Sequence, residues 1–173
     1  MATLNVHGHA HGSKSETYTG GRVIHYKSFP QNHHALPKIR NAMRIMDELA
    51  RLPATDQCNL YFKGLALGQT LTQLWLHGGI FINHSPDNPS PYTADTHSNN
   101  VDIAFHEAAL LTSNHWVLAA TLCHELAHCG GAPAGTHDAE RAVHECRFGP
   151  DHYNPGFLGF NESAHRPRKF VVA

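Results

Sequence analysis

Residues 124–128 read His-Glu-Leu-Ala-His. On a helix, residues four apart lie one above the other, so the imidazoles of His124 and His128 can turn towards one ion. Glu125 sits about 100° round the helix from His124, beside that ion. Imidazole nitrogens suit zinc, which binds them at about 2.0–2.1 Å and in catalytic sites keeps one position open beside three protein ligands. The chemistry implied is hydrolysis: the ion lowers the pKa of a bound water towards about 7 and polarises a carbonyl, while the glutamate takes the proton. The expected roles are His124 and His128 as metal ligands, Zn2+ as cofactor and Glu125 as general base. The chain carries 17 histidines, a density that makes accidental matches commoner, so context must support the pattern. Leu118, Leu122 and Leu126 form an i, i+4, i+8 stripe roughly opposite the two histidines, and Gly130-Gly131 ends the helix directly after them.

The third ligand is less direct. The pattern extends to H-E-x-x-H-x-x-G with Gly131, but three residues later stands Ala134, which binds no metal, so the metzincin arrangement is excluded. A second helix, capped by Thr136 or Asp138 and running to about Arg147, is expected to fold back alongside the first. Its opening turn brings Asp138 or Glu140 level with His128, and His144 level with His124.

Gly135-Thr136-His137-Asp138, following the H-E-x-x-H helix, resembles the G-T-x-D element of the aspzincin metallopeptidases, the family of the deuterolysins and the fungal peptidyl-lysine endopeptidases. The likeness is best over residues 100–140, where a strand at 101–105 leads into Thr121-Leu122-Cys123-His124-Glu125. Carried over position by position, it implies His124, His128 and Asp138 as zinc ligands and Glu125 as general base. Aspzincins place Tyr-Gly shortly after the aspartate, and here those places hold Arg141 and Ala142. The oxyanion partner therefore falls to another group, with Arg141, His144, His152 and Tyr153 as candidates. The same departure keeps a gluzincin-like alternative in play, with Glu140 as third ligand.

The elements that must position these residues follow from periodicity and punctuation. Residues 1–20 are small, polar and rich in Gly and His, and read as a flexible lead-in in which His7, His9 and His11 could chelate a metal loosely. Residues 21–173 read as a single domain. Arg22–Phe29 is a strand by content. Pro37 opens a helix carrying Ile39, Met43, Met46 and Ala50, closed by Pro53. A second helix is expected from Cys58 to Leu76, and a short strand at 80–83. The Pro/Asn/Ser/Asp-rich stretch that follows is a long loop of the kind that borders clefts. Residues 101–111 begin with period-two alternation and read as a strand on which His106 and Glu107 could line the substrate cleft. Gly149 to Pro155 forms a turn cluster. The expected fold is α+β and zincin-like, mainly helical with a small sheet beside the active-site helix.

With 41% hydrophobic and 16% charged residues in 173, the chain can build one core and stands far from the composition of disordered proteins. A net charge of −1 without a long basic run argues against a nucleic-acid or anionic-membrane partner. No apolar stretch reaches spanning length, and the opening residues lack a Sec-type leader, so the expected location is cytoplasmic or reached by non-Sec export. Four cysteines are too few for a disulfide scaffold; they are expected as thiols, with Cys129 and Cys146 able to pair in an oxidising compartment. The function expected is a zinc-dependent endopeptidase acting on protein or peptide substrates. By analogy with secreted effector or toxin proteases, it would have a cognate inhibitor or immunity partner. The rival readings are a non-catalytic zinc-binding module and an inactive zincin used for protein binding.

Overall fold

A computed structural model describes residues 1–8, 11–87 and 93–148. In chain order the elements are β1 (Thr3–Leu4), β2 (Lys14–Thr17), β3 (Val23–Tyr26), α1 (Leu36–Leu49), α2 (Gln57–Lys63), α3 (Leu71–His77), β4 (Phe81–Ser85), β5 (Ala94–Thr96), β6 (Asp102–His106), α4 (Glu107–Thr112), α5 (His115–Cys129) and α6 (Asp138–Glu145). The architecture is α+β: six helices and a small mixed sheet among the described residues. The sheet order is β1-β4-β6-β5, with β1, β4 and β6 parallel and β5 antiparallel at the edge; β2 and β3 form a separate hairpin. Among the described residues no helix is long and apolar enough to cross a membrane.

Helix α5 is the centre of the molecule. It packs along α1, α6 and α3 on its helical sides and against β5 at the sheet edge. Its sequence is apolar nearly all round, as a helix surrounded by other elements requires, and Leu118, Leu122 and Leu126 are fully buried. Asn114 caps it by accepting from the backbone N–H groups of Trp116 at 2.9 Å and Val117 at 3.1 Å. It ends in a Schellman turn: Gly131 N–H donates to the His128 carbonyl and Ala132 N–H to the Ala127 carbonyl, both at 2.9 Å. That turn holds Gly131 at φ +96°, a conformation open to glycine.

Several expectations are corrected. The first twenty residues carry β1, paired with β4, and β2, paired with β3; backbone pairing orders a segment with little apolar content. The single helix expected from Cys58 to Leu76 is two. Gly64 caps α2, Gly68 turns at φ +65°, and Thr70 with Gln73 closes a capping box that starts α3. The strand expected to run to Leu111 stops at His106, where Glu-Ala-Ala-Leu-Leu turns helical as α4. Cys146 pairs with Cys58, not with Cys129, across a Cα–Cα distance of 4.5 Å. The reason is that α2 lies against α6, where Tyr61 OH donates to the Asp138 carbonyl at 3.0 Å and Arg147 pairs with Asp56. Cys123 and Cys129 are thiols, and burial pushes both well above the ordinary thiol range, so they are unreactive. The turn cluster from Gly149, with His152 and Tyr153, lies outside the described residues.

Candidate metal centre

His124 and His128 lie one turn apart on α5, both half-buried, and their Nε2 atoms face each other at 3.2 Å. The rings stand nearly edge to face, 72° apart. His128 Nδ1 donates to the Ala132 carbonyl at 2.8 Å, which places the ring hydrogen on Nδ1 and leaves the Nε2 lone pair directed at His124. The carbonyl is in place because the Schellman turn brings residue 132 back over the helix end. Two donors held at about 2.0–2.1 Å around a tetrahedral ion stand roughly 3.3 Å apart, so the imidazole pair fits zinc in donor type and in spacing.

Glu125 is buried on the sheet side of the pair. The Thr96 hydroxyl of β5 lies 2.7 Å from its Oε2 and 3.1 Å from its backbone carbonyl, tying the helix to the edge strand. A cleft of about 610 Å³ opens there, walled by Ala94 to Ser98, by His124, Glu125 and His128, and by Gly135 to His137 with Glu140. The two acidic candidates part company. Glu140 stands on the cleft wall, whereas the Asp138 carboxylate accepts from Thr136 Oγ1 at 3.0 Å and is not among the lining residues. Neither carboxylate joins the two imidazoles into a set of three donors all within 4.8 Å of one another. Arg141 and His144 are both exposed on α6 away from the cleft wall.

The residues 94–98 strand and loop do border the cleft. His106 and Glu107 do not: His106 is fully buried and donates to Asp95 at 2.8 Å, and Glu107 points into a separate histidine cluster. Strand alternation gives β5 its open edge. Thr93 and His97 bond to β6, so the backbone groups of Ala94 and Thr96, of the other parity, face outward. The Thr96 carbonyl accepts there from Tyr18 OH at 2.9 Å. Tyr18 and Arg22, on the hairpin turn, form the outer wall. Burial, with the Asp95 carboxylate nearby, pushes the Tyr18 phenol well above its ordinary value and keeps it a donor. Asp95 is buried too, which alone would raise its carboxyl, yet hydrogen bonds from His106 and the two-pronged Arg22 guanidinium at 2.6 and 2.7 Å hold it below the usual range. Sequence reasoning missed Thr96, Tyr18 and Arg22, which carry no spacing signal and reach the site only through the sheet.

Compared with family models, with curated proteins and with solved structures, the chain gives no match to any of the three.

Proposed function

We propose that this protein is a zinc-dependent endopeptidase of zincin type. The observation that carries the reading is the pair of imidazole Nε2 atoms 3.2 Å apart, beside a buried glutamate, on a cleft floored by an antiparallel edge strand. His124 and His128 would hold the ion, and Glu140, which stands on the cleft wall where Asp138 does not, is the candidate third ligand of a gluzincin-like arrangement. Zinc at this position would supply an acidified water and a polarised carbonyl.

The chain's own residues do the rest. An extended peptide would lie along the outer edge of β5, using the backbone groups of Ala94 and the N–H of Thr96, whose carbonyl Tyr18 OH holds, and leaving its side chains to the cleft walls. Glu125 takes a proton from the attacking water and passes it to the leaving amine. Thr96 holds Glu125 Oε2 and so orients the other oxygen towards the reacting atoms. His97 and His137 line the cleft and are candidates for stabilising charge on the carbonyl oxygen.

The test is Glu125→Gln. It is expected to retain one zinc per chain at this site while cleavage of an unfolded protein substrate falls by about 10²–10⁴-fold. Glu140→Ala is expected to lower zinc content and Asp138→Ala to leave it unchanged. Wild-type protein that holds zinc and cleaves nothing across a broad substrate panel would turn the reading to a non-catalytic zinc module.

A further inference from the structure

Outside the cleft, three segments bring four metal-binding side chains to one place. His33 and His34 come from the loop before α1, His84 from β4 and Glu107 from the first turn of α4, at the carboxyl ends of the adjacent parallel strands β4 and β6. His33 Nε2 lies 3.0 Å and His84 Nε2 2.8 Å from Glu107 Oε2, and His34 Nε2 lies 3.6 Å from Oε1. The donor atoms of His33, His34 and Glu107 all fall within 4.8 Å of one another. We propose that His33, His34 and Glu107, with His84 alongside, form a second metal site, for a divalent first-row transition ion such as zinc.

The 2.8 and 3.0 Å contacts are hydrogen bonds as they stand, and the same spacings also fit ligands around one ion. Donors bound at about 2.0–2.1 Å stand roughly 3.3 Å apart round a tetrahedral centre, and 2.8, 3.0 and 3.6 Å bracket that value. The 3.6 Å contact is too long for a hydrogen bond, so Glu107 Oε1 and His34 face each other across a gap. Three imidazoles crowd one carboxylate: the His33 ring centroid lies 4.4 Å from that of His34 and 4.8 Å from that of His84. Charging all of them together is opposed by mutual repulsion. Neutral imidazole is the form that binds metal. His33 and His84 are mostly covered while His34 is exposed, which leaves an entry path. Coordination through His33 Nε2 moves that ring's hydrogen to Nδ1, exchanging a 3.2 Å contact from the Ala35 N–H. The donor set of nitrogens with one carboxylate suits zinc and its neighbours rather than calcium or magnesium.

The experiment uses the full chain without a tag, carrying His124→Ala and His128→Ala so that the α5 pair cannot contribute. Chelator-treated protein is titrated with Zn2+ alone by calorimetry, and with Co2+ followed by visible absorbance. One ion per chain is expected. His34→Ala or Glu107→Gln on that background is expected to weaken binding by at least about tenfold; His34 is exposed, so its variant keeps the fold, as circular dichroism would verify. A background protein that takes no ion, or variants that bind as tightly as the background, would overturn the site. The second outcome would place any zinc elsewhere on the chain. Because the α5 pair is already removed, the result stands apart from the peptidase reading.

Discussion

Glu125 has one oxygen committed to Thr96 Oγ1 at 2.7 Å, and in the role of general base proposed above that contact would present the other oxygen in a constant direction. Removing the hydroxyl leaves a buried carboxylate with an unmet acceptor and a wider range of orientations. Thr96→Val is therefore expected to lower kcat by about 10- to 100-fold with KM little changed, and Thr96→Ser to restore most of it. Peptide-cleavage kinetics on the two variants check this; equal kcat for wild type and Thr96→Val would show that α5 alone orients the base. At this scale the helical period placed His124, Glu125 and His128 together on α5, where all three line one cleft. The sequence was not legible at Thr96, which is 29 positions away and reaches the glutamate only because β5 pairs with β6. The choice between Asp138 and Glu140 also lay beyond spacing. Both open α6; in the structure Glu140 lines the cleft, while the Asp138 carboxylate accepts from the Thr136 hydroxyl.

The termination of α5 matters as much as its faces. Gly131 at φ +96° completes the turn that sets the Ala132 carbonyl on His128 Nδ1, and a Cβ at residue 131 would stand 2.8 Å from the Ala66 side chain. Gly131→Ala is expected to destabilise the protein by about 1–3 kcal/mol. It is also expected to weaken zinc binding at α5 by about tenfold or more, since His128 loses the partner that sets its tautomer. Thermal unfolding and zinc competition with a chromogenic chelator measure the two effects. Where ends carry strong signals, the elements were readable from sequence: Pro37 near the start of α1, Asn114 at the cap of α5 and Gly130-Gly131 after it. The 58–76 stretch misled because Leu60, Leu67, Leu71 and Leu74 keep a helical rhythm across a turn. The Thr70-Leu71-Thr72-Gln73 capping box was the local signal that a new helix begins. In the 101–111 stretch, alternation favoured a strand throughout, while Glu107-Ala108-Ala109 has the propensity of a helix and prevails once the sheet partner β4 ends at Ser85.

Across the whole molecule the N-terminal segment is fastened by a buried carboxylate. Asp102, fully buried on β6, accepts from His11 at 2.5 Å, Lys14 at 2.6 Å, Asn99 at 2.7 Å and Asn83 at 2.9 Å. Burial alone would raise its carboxyl, but the donors from Lys14, Asn99, His11 and Asn83 override it and bring the pKa down to about 2, from an ordinary 3.8. A depressed value in the folded state means that this stabilisation is whole above the ordinary value and is lost as pH falls towards the folded one. The melting temperature is thus expected to drop between about pH 4 and pH 2, and Asp102→Asn to be less stable at neutral pH with a shallower acid slope. Melting curves by circular dichroism across that range decide it. An Asp102→Asn slope identical to wild type would assign acid sensitivity to Asp95, Glu107 and the other carboxylates held below their usual range. None of this fastening was legible in residues 1–20, because Asp102, which His11 and Lys14 reach, lies some ninety residues on. The Cys58–Cys146 bridge has a topological consequence of its own. It closes a covalent ring of chain that contains β5, α5 and every cleft-lining residue except Tyr18 and Arg22. A single nick inside that ring opens a circle and releases no fragment; the cut chain runs as one band until a reductant separates it into two.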